Sequence, residues 1–447
     1  MKQFQRTVFI FLSALIFRSF FVAIFPGPNY FSGITDSFVE VAQNIINGRG
    51  AVTYVDIAPL SSHTSNFVYA PFYHRPFGYV VFVLFPLLLS SNLIIIQILQ
   101  SVIAGFSSIL VYALAKKITS HNYAVMAAYL YALWPLSARF EISVLPDALV
   151  SFFLLLTIWC LLKNLEEEKP LVWNLLAGIS NGIAVLMRPE IALLPFFLLG
   201  AFFVLKQTRS LIKKIILFAA GMLLVIIPQT VQNYRASEGH IIPLGIGNGL
   251  SMWEGISQFG NKFGTVFGDE HTAEHEGYEN WGFPNGVKRD QQRFQEAVDI
   301  IVSHPIWYAG VMAERIPVLL TPDWIMTRKF TPSLKEYLDE SPNRTMLTFF
   351  AAYSVSTAIR VLLIMLQYAS LVLALYGFIR SGSRQLLWFP ACLIFYYVVI
   401  HIPTNTEARY FYPAIPFVLI LAAEGLRQFR ENNRQEIALI KNESEFK

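Results

Sequence analysis

"LAGISNGIAVLMRPEIALLP" (residues 176–195) brings two apolar runs together at one ionisable knot, Arg188-Pro189-Glu190. The runs, about 172–187 and 190–206, each approach the roughly 20 residues that cross a bilayer. The charged pair falls between them, where two spans would turn back. Other charges collecting at the same level would make that turn part of a site.

Eight more runs of this kind fall at about 7–25, 92–115, 121–140, 146–163, 213–230, 359–379, 386–402 and 410–425. Composition agrees: 55% of the 447 residues are hydrophobic and 14% charged, against about 25% charged in soluble domains. The chain therefore reads as an all-α polytopic membrane protein with about ten transmembrane helices, interfacial helices and a large outer loop. A net charge of +4, with Lys and Arg scattered among loops, gives nucleic-acid binding no footing. Cys160 and Cys392 both lie in apolar runs and form neither metal spacing nor a disulfide framework. The first run carries Arg18 midway and lacks a small-residue cleavage site, so it reads as a retained span.

Orientation follows from basic residues in short loops. Lys116 and Lys117, the basic residues Lys206, Arg209, Lys213 and Lys214, the pair Arg380 and Arg384, and Arg427 onward share one side when both termini are cytoplasmic. "FGYVVFVLFPLLLS" (77–90) breaks that arrangement if it crosses fully, so it is read as re-entrant or interfacial. The expected organisation is a transmembrane module over 1–230 with a first outer loop at 26–91. A large outer region at 231–358, transmembrane helices at 359–430 and a cytoplasmic tail at 431–447 follow. The interrupted run "IWYAGVMAERIPVLL" (306–320) belongs at the interface. No internal repeat is evident.

Ionisable groups beside spans are costly and usually pair or serve a function. Here they gather at outer ends: Asp36; His74 and Arg75; Arg139, Glu141 and Asp147; Arg188 and Glu190; Arg235; Glu407 and Arg409. Six segments converging in this way suggest a cavity for a charged ligand that belongs partly to the lipid. Each feature also has a plainer reading. Ser37 and Glu40 fit a capping box, with Asp36 beside it as a helix cap. Arg75 and Arg235 fit headgroup anchors, and Arg18 fits a buried structural pair. His271 and His275 lack a third ligand and read as a solvated loop. Trp253 fits an anchor of its loop on the membrane surface.

Several stretches, in order, resemble the GT-C glycosyltransferases. They resemble in particular the bacterial membrane proteins related to protein O-mannosyltransferases (glycosyltransferase family 39-like) and to the enzyme that adds aminoarabinose to lipid A. These are "TDSFVEVAQNIINGRG" (35–50), "HRPFGYVVF" (74–82), "YALWPLSARFEISVLPDALVSFFLLL" (131–156), the opening stretch, "IPQTVQNYRASEGHIIPLGIGNGLSMWEG" (227–255) and "EARYFYPAIPFVLILAAEGL" (407–426). The resemblance covers about residues 1–430. Two departures stand out: Gln232-Asn233 where the family has Arg-Asn, and Phe77 where it has a second proline.

The resemblance implies transfer of a sugar from a polyprenyl-phosphate donor to an acceptor hydroxyl, by single displacement with inversion. Transfer would occur on the periplasmic or extracellular side of a bacterial inner membrane. The acceptor is a protein, a lipid or a glycan. A carboxylate must take the acceptor's proton, and Asp36 is expected there. Asp147 would orient the acceptor, pair with Arg139 or join Asp36 in holding a divalent cation such as Mg or Mn. Fixed cations offset the charge on the departing phosphate, a role expected of Arg75 first, then Arg188, Arg235 and His74. Trp253, Glu254, Glu407, Arg409 and Tyr410 would contact substrate. The helix from Asp36 is expected to rest its apolar face on the bilayer. A flippase or transporter for lipid-linked glycans predicts midplane charges and repeated halves, which the sequence lacks. A glycan polymerase or ligase is a neighbouring alternative.

Overall fold

A computed structural model describes residues 2–27, 32–166, 170–204, 211–260, 262–322, 330–341, 343–381 and 385–445. Lys206, Arg209 and Arg384, on which the orientation partly rests, lie outside the described residues. The first part of the chain comprises α1 (Lys2–Ile24), α2 (Ser32–Ile46), the strands β1 (Val52–Asp56) and β2 (Phe67–Pro71), and α3 (Gly78–Leu89). Then come α4 (Ile94–Ile118), α5 (His121–Ala132), α6 (Pro135–Glu141), α7 (Asp147–Glu166), α8 (Pro170–Met187), α9 (Leu194–Val204) and α10 (Leu211–Ala236). The large loop holds α11 (Asn248–Ile256), α12 (Asp269–His275), α13 (Gly286–Ser303), α14 (Pro305–Leu320), α15 (Leu334–Asp339) and α16 (Met346–Ala352). The chain closes with α17 (Ser354–Arg380), α18 (Trp388–His401) and α19 (Ile415–Glu445). The strands form one antiparallel hairpin, with Tyr54 opposite Tyr69.

The all-α fold class holds, while the count of ten spans is not reached by length. Among the described residues α1, α4, α7, α10 and α17 are long and apolar enough to cross a membrane. Other apolar runs form shorter or interrupted helices; the run at 121–140, for example, breaks between α5 and α6, and that at 410–425 supplies only the start of the long, largely polar α19. The 12 residues of α3 extend about 18 Å at 1.5 Å per residue. That is too short for a hydrocarbon core of about 30 Å.

Small residues let the helices approach closely, as expected where lipid supplies no hydrophobic drive between them. A Cβ placed on Gly178 of α8 would sit 2.0 Å from the Phe218 carbonyl of α10, and one on Gly425 of α19 would sit 2.0 Å from the Leu373 carbonyl of α17. Arg18 in α1 meets Glu141 at 2.5 Å, both fully buried, and also donates to the carbonyls of Ala14 and Ala132. Glu141 accepts from the Tyr131 hydroxyl at 2.5 Å. Glu141 thus belongs to a structural pair and not to the outer-face cluster.

Two corrections concern α2. The helix starts at Ser32, so Ser37 and Glu40 lie inside it and form no capping box. Ser37 Oγ donates to the Ile34 carbonyl at 2.8 Å, and Glu40 accepts from Thr53 Oγ1 at 3.0 Å and from the Tyr54 N–H at 2.6 Å. The apolar face of α2 does not rest on lipid either: Phe38, Val41 and Ala42 are buried in the main core, with the Phe38 ring 5.2 Å from that of Tyr79 in α3.

Candidate active site

Irregular backbone at membrane depth must have its polar groups satisfied by neighbours, and two sets of amide side chains do this beside the main cavity. From α4, Gln97 Nε2 donates to the Ile142 carbonyl at 2.8 Å and Gln100 Nε2 to the Leu145 carbonyl at 2.7 Å. Thr35 Oγ1 of α2 donates to the Val144 carbonyl at 2.8 Å. The segment between α6 and α7 is thereby fixed, and with it Asp147. From α10, Asn233 Nδ2 donates to the Ile242 carbonyl at 3.0 Å, and Gln229 donates to that of Leu244. Gln229 Oε1 in turn accepts the Phe77 N–H at 3.0 Å. A proline at 77, as in the related pattern, has no N–H to give. Phe77 therefore supplies a tether that holds the chain just after His74 and Arg75.

These segments enclose a cavity of about 1540 Å³. Asp147, only 2% exposed, accepts from Arg188 Nη1 at 3.1 Å through Oδ1, while among the described residues its buried Oδ2 has no hydrogen-bond partner. Arg188 also binds Glu190 and lies over the Tyr410 ring at 4.8 Å. The Glu190 carbonyl accepts from the Tyr396 hydroxyl. Arg409 pairs with Glu407 at 2.7 Å and stacks on the same Tyr410 at 5.4 Å. The imidazole of His401 packs 4.8 Å from that ring, and among the described residues its buried Nε2 has no partner.

Further lining residues come from the first outer loop and the large loop. Arg75 pairs with Asp269 at 3.4 Å and lies 5.5 Å from the Trp281 ring. His74 sits among Phe72, Trp281 and Phe283. Burial and then the charge of Arg75 push its pKa down to about 3. It is therefore neutral near pH 7 in this structure, where the sequence reading expected a phosphate-binding cation; among the described residues its buried Nδ1 has no partner. Glu254, 2% exposed, accepts from Thr272 Oγ1 at 3.2 Å. Burial, followed by the neighbouring Asp269, raises its pKa to about 9.

The cavity thus gathers His74, Arg75, Asp147, Arg188, Glu254, Glu407, Arg409 and Tyr410. Three expected members are elsewhere. Asp36 is exposed and does not line the cavity, whereas Ile34 and Phe38 on either side of it do. Residues two apart on a helix point about 200° apart, so the face that brings Phe38 inward turns Asp36 out. Arg235 is exposed on α10 beside a different groove. Trp253 is buried with Ile256, Tyr308 and Val311 in the core of the large loop, its indole N–H donating to Glu296 Oε2 at 3.0 Å. The expected Arg139–Asp147 pair is also replaced, since Arg139 donates to Ser143 Oγ at 3.0 Å and lies over the Phe25 ring.

Asp269, Trp281 and His401 were not marked by sequence. Asp269 lies in an acidic stretch that reads as solvated, and His401 ends an apolar helix. Among the described residues no group of three or more His, Cys, Asp or Glu could hold a metal ion. Asp147 and Asp36 do not face each other across the cavity, so they form no shared cation site.

Residues 73–231 match the family model described as dolichyl-phosphate-mannose-protein mannosyltransferase. No curated protein sequence matches the chain. Similar solved structures include the oligosaccharyltransferase AglB from Archaeoglobus fulgidus in complex with an inhibitory peptide and a dolichol-phosphate. It is 13% identical with a TM-score of 0.47, and the match covers 98% of this chain and 52% of that one. The apo form of the Archaeoglobus fulgidus oligosaccharyltransferase matches at 14% identity and a TM-score of 0.47, with the same coverage. The chain spans about half the length of these structures. The stretch from Tyr73 to Val231 contains Arg75, Asp147 and Arg188, and its match to the mannosyltransferase family model bears out the resemblance to GT-C glycosyltransferases over that part of the chain.

Proposed function

We propose that the protein is a membrane glycosyltransferase. It would move a sugar from a polyprenyl-phosphate donor to an acceptor hydroxyl in the cavity described above. The observation that carries this reading is Asp147: Arg188 holds one carboxylate oxygen while the other is buried, without a partner among the described residues, and beside a cavity rich in guanidinium groups. The matched family's description names a dolichyl-phosphate mannose donor and a protein acceptor. From it we take the chemical class of the donor, a polyprenyl-phosphate sugar.

In this mechanism the acceptor hydroxyl gives its proton to Asp147 Oδ2 as its oxygen bonds to the anomeric carbon. The bond from that carbon to the phosphate oxygen breaks, with inversion, and the electron pair leaves with the lipid phosphate. Arg75 and Arg409 approach each other closely enough for their charges to interact, and they receive the phosphate as its charge grows. Arg188 holds the base and adds its own field. The Trp281 ring lines the cavity and replaces Trp253 as the surface for a sugar's apolar face. A divalent cation would find one ready oxygen here, Asp147 Oδ2, and no step above requires it.

The base role expected of Asp36 thus passes to Asp147. Asp147→Asn should lower sugar transfer from a lipid-phosphate donor by about 10²–10⁴-fold, the range for loss of a positioned base, while the purified protein keeps its fold. An Asp147→Asn protein that retained transfer, alongside an Asp36→Asn protein that lost it, would return the role to α2.

A further inference from the structure

Arg235, displaced from the cavity, lines a second groove of about 510 Å³ together with Ala51, Pro228, Val231, Gln232 and Ala236. No acidic residue lines this groove, and among the described residues no carboxylate pairs with Arg235. The groove lies near the end of α10 that tethers the cavity through Gln229 and Asn233, so it is on the cavity's side of the membrane. Of the five long apolar helices α10 is the least covered by protein, with 17% of its apolar window buried. Ile227, Val231 and Tyr234 expose about half of their surface there, so this flank of the helix faces lipid.

The pattern is a guanidinium and an amide at the polar end of a lipid-facing helix, above a strip of exposed apolar side chains. A soluble anion would use the first part and leave the strip in water; a phospholipid uses both. Arg49, two residues before Ala51 in sequence, is also exposed, stacks on Tyr69 at 5.3 Å and donates to Asn44 Oδ1. Among the described residues no carboxylate pairs with it.

We propose that this groove is a binding site for the phosphate headgroup of an anionic membrane phospholipid, separate from the main cavity. Arg235 presents its planar fork to the phosphate oxygens, Gln232 offers an amide N–H, and the acyl chains lie along Ile227 and Val231. The site acts without any chemical step and stands whether or not the cavity transfers sugar.

The test is native mass spectrometry of the full chain released from nanodiscs of phosphatidylglycerol or of phosphatidylcholine. The wild-type protein should retain phosphatidylglycerol in preference to phosphatidylcholine. Arg235→Gln should weaken that retention by about tenfold, the size of one lost charge-assisted contact. Val231→Trp, which fills the groove and leaves the arginine in place, should weaken it as well. Equal retention of the two lipids by wild type, or unchanged retention in both variants, would overturn the proposal. Displacement of the lipid by millimolar inorganic phosphate would assign the groove to a soluble anion.

Discussion

Glu254 carries a hydrogen bond from Thr272 and shares its corner of the cavity with Asp269 and Glu407. With a folded pKa near 9 against an ordinary value of 4.5, the folded protein holds a proton that the unfolded chain releases. Between those values stability therefore falls as pH rises. Thermal midpoints measured from pH 5 to pH 9 should decline, and Glu254→Gln should flatten that decline. A variant with the wild-type slope would show that the proton sits elsewhere. Arg188 offers a second test at this scale. Its three partners, Asp147, Glu190 and the Tyr410 ring, demand a planar fork with several donors. Arg188→Lys keeps the charge but should still lower transfer by at least tenfold, read as a fall in kcat with little change in donor KM. The chemical types at these positions were legible from sequence because burying them without function is costly. Which acid faces inward was not: Asp36 and Phe38 are two residues apart, and the rotation of α2 decides between them.

At the level of elements, helix contacts depend on residues that have almost no side chain. Gly178 in α8 and Gly221 in α10 each approach a backbone carbonyl of the other helix. Gly178→Leu should force the helices apart and lower the thermal midpoint of the detergent-solubilised protein, at a cost of about 1–3 kcal/mol or more. An unchanged midpoint would mean that the two helices slide freely. Sequence located the long apolar helices, because such runs have few alternatives, but not the short helices α11, α12, α15 and α16 of the large loop. It misjudged ends and breaks. The S-x-x-E pattern at Ser37 suggested a start that lies five residues too late, since those side chains bond to Ile34 and to the hairpin instead. The run at 121–140 looked continuous, yet Trp134-Pro135 divides it.

Across the whole molecule, the buried pair of Arg18 and Glu141 links the first helix to the turn before Asp147. Removing one member strands the other in an apolar interior, which costs about 3–5 kcal/mol. Arg18→Met should therefore destabilise the protein strongly, and Arg18→Met combined with Glu141→Gln should recover part of the loss in thermal unfolding. Sequence singled out Arg18 for a buried partner but could not name it, because Glu141 is distant in the chain and sits among charges that do face the cavity. The same difficulty hid Asp269 and His401, whose neighbours come from distant segments.

The tether from Gln229 to Phe77 has an effect that reaches past geometry. Gln229 touches no cavity ligand in the mechanism above, yet it joins α10, the loop at 242–244 and the base of α3. Gln232 and Arg235 stand on the same helix within two turns of it. Any rotation of α10 about its axis would thus be felt at Arg75; under the function and the lipid site proposed above, this helix would let bilayer composition act on the cavity's affinity for its donor.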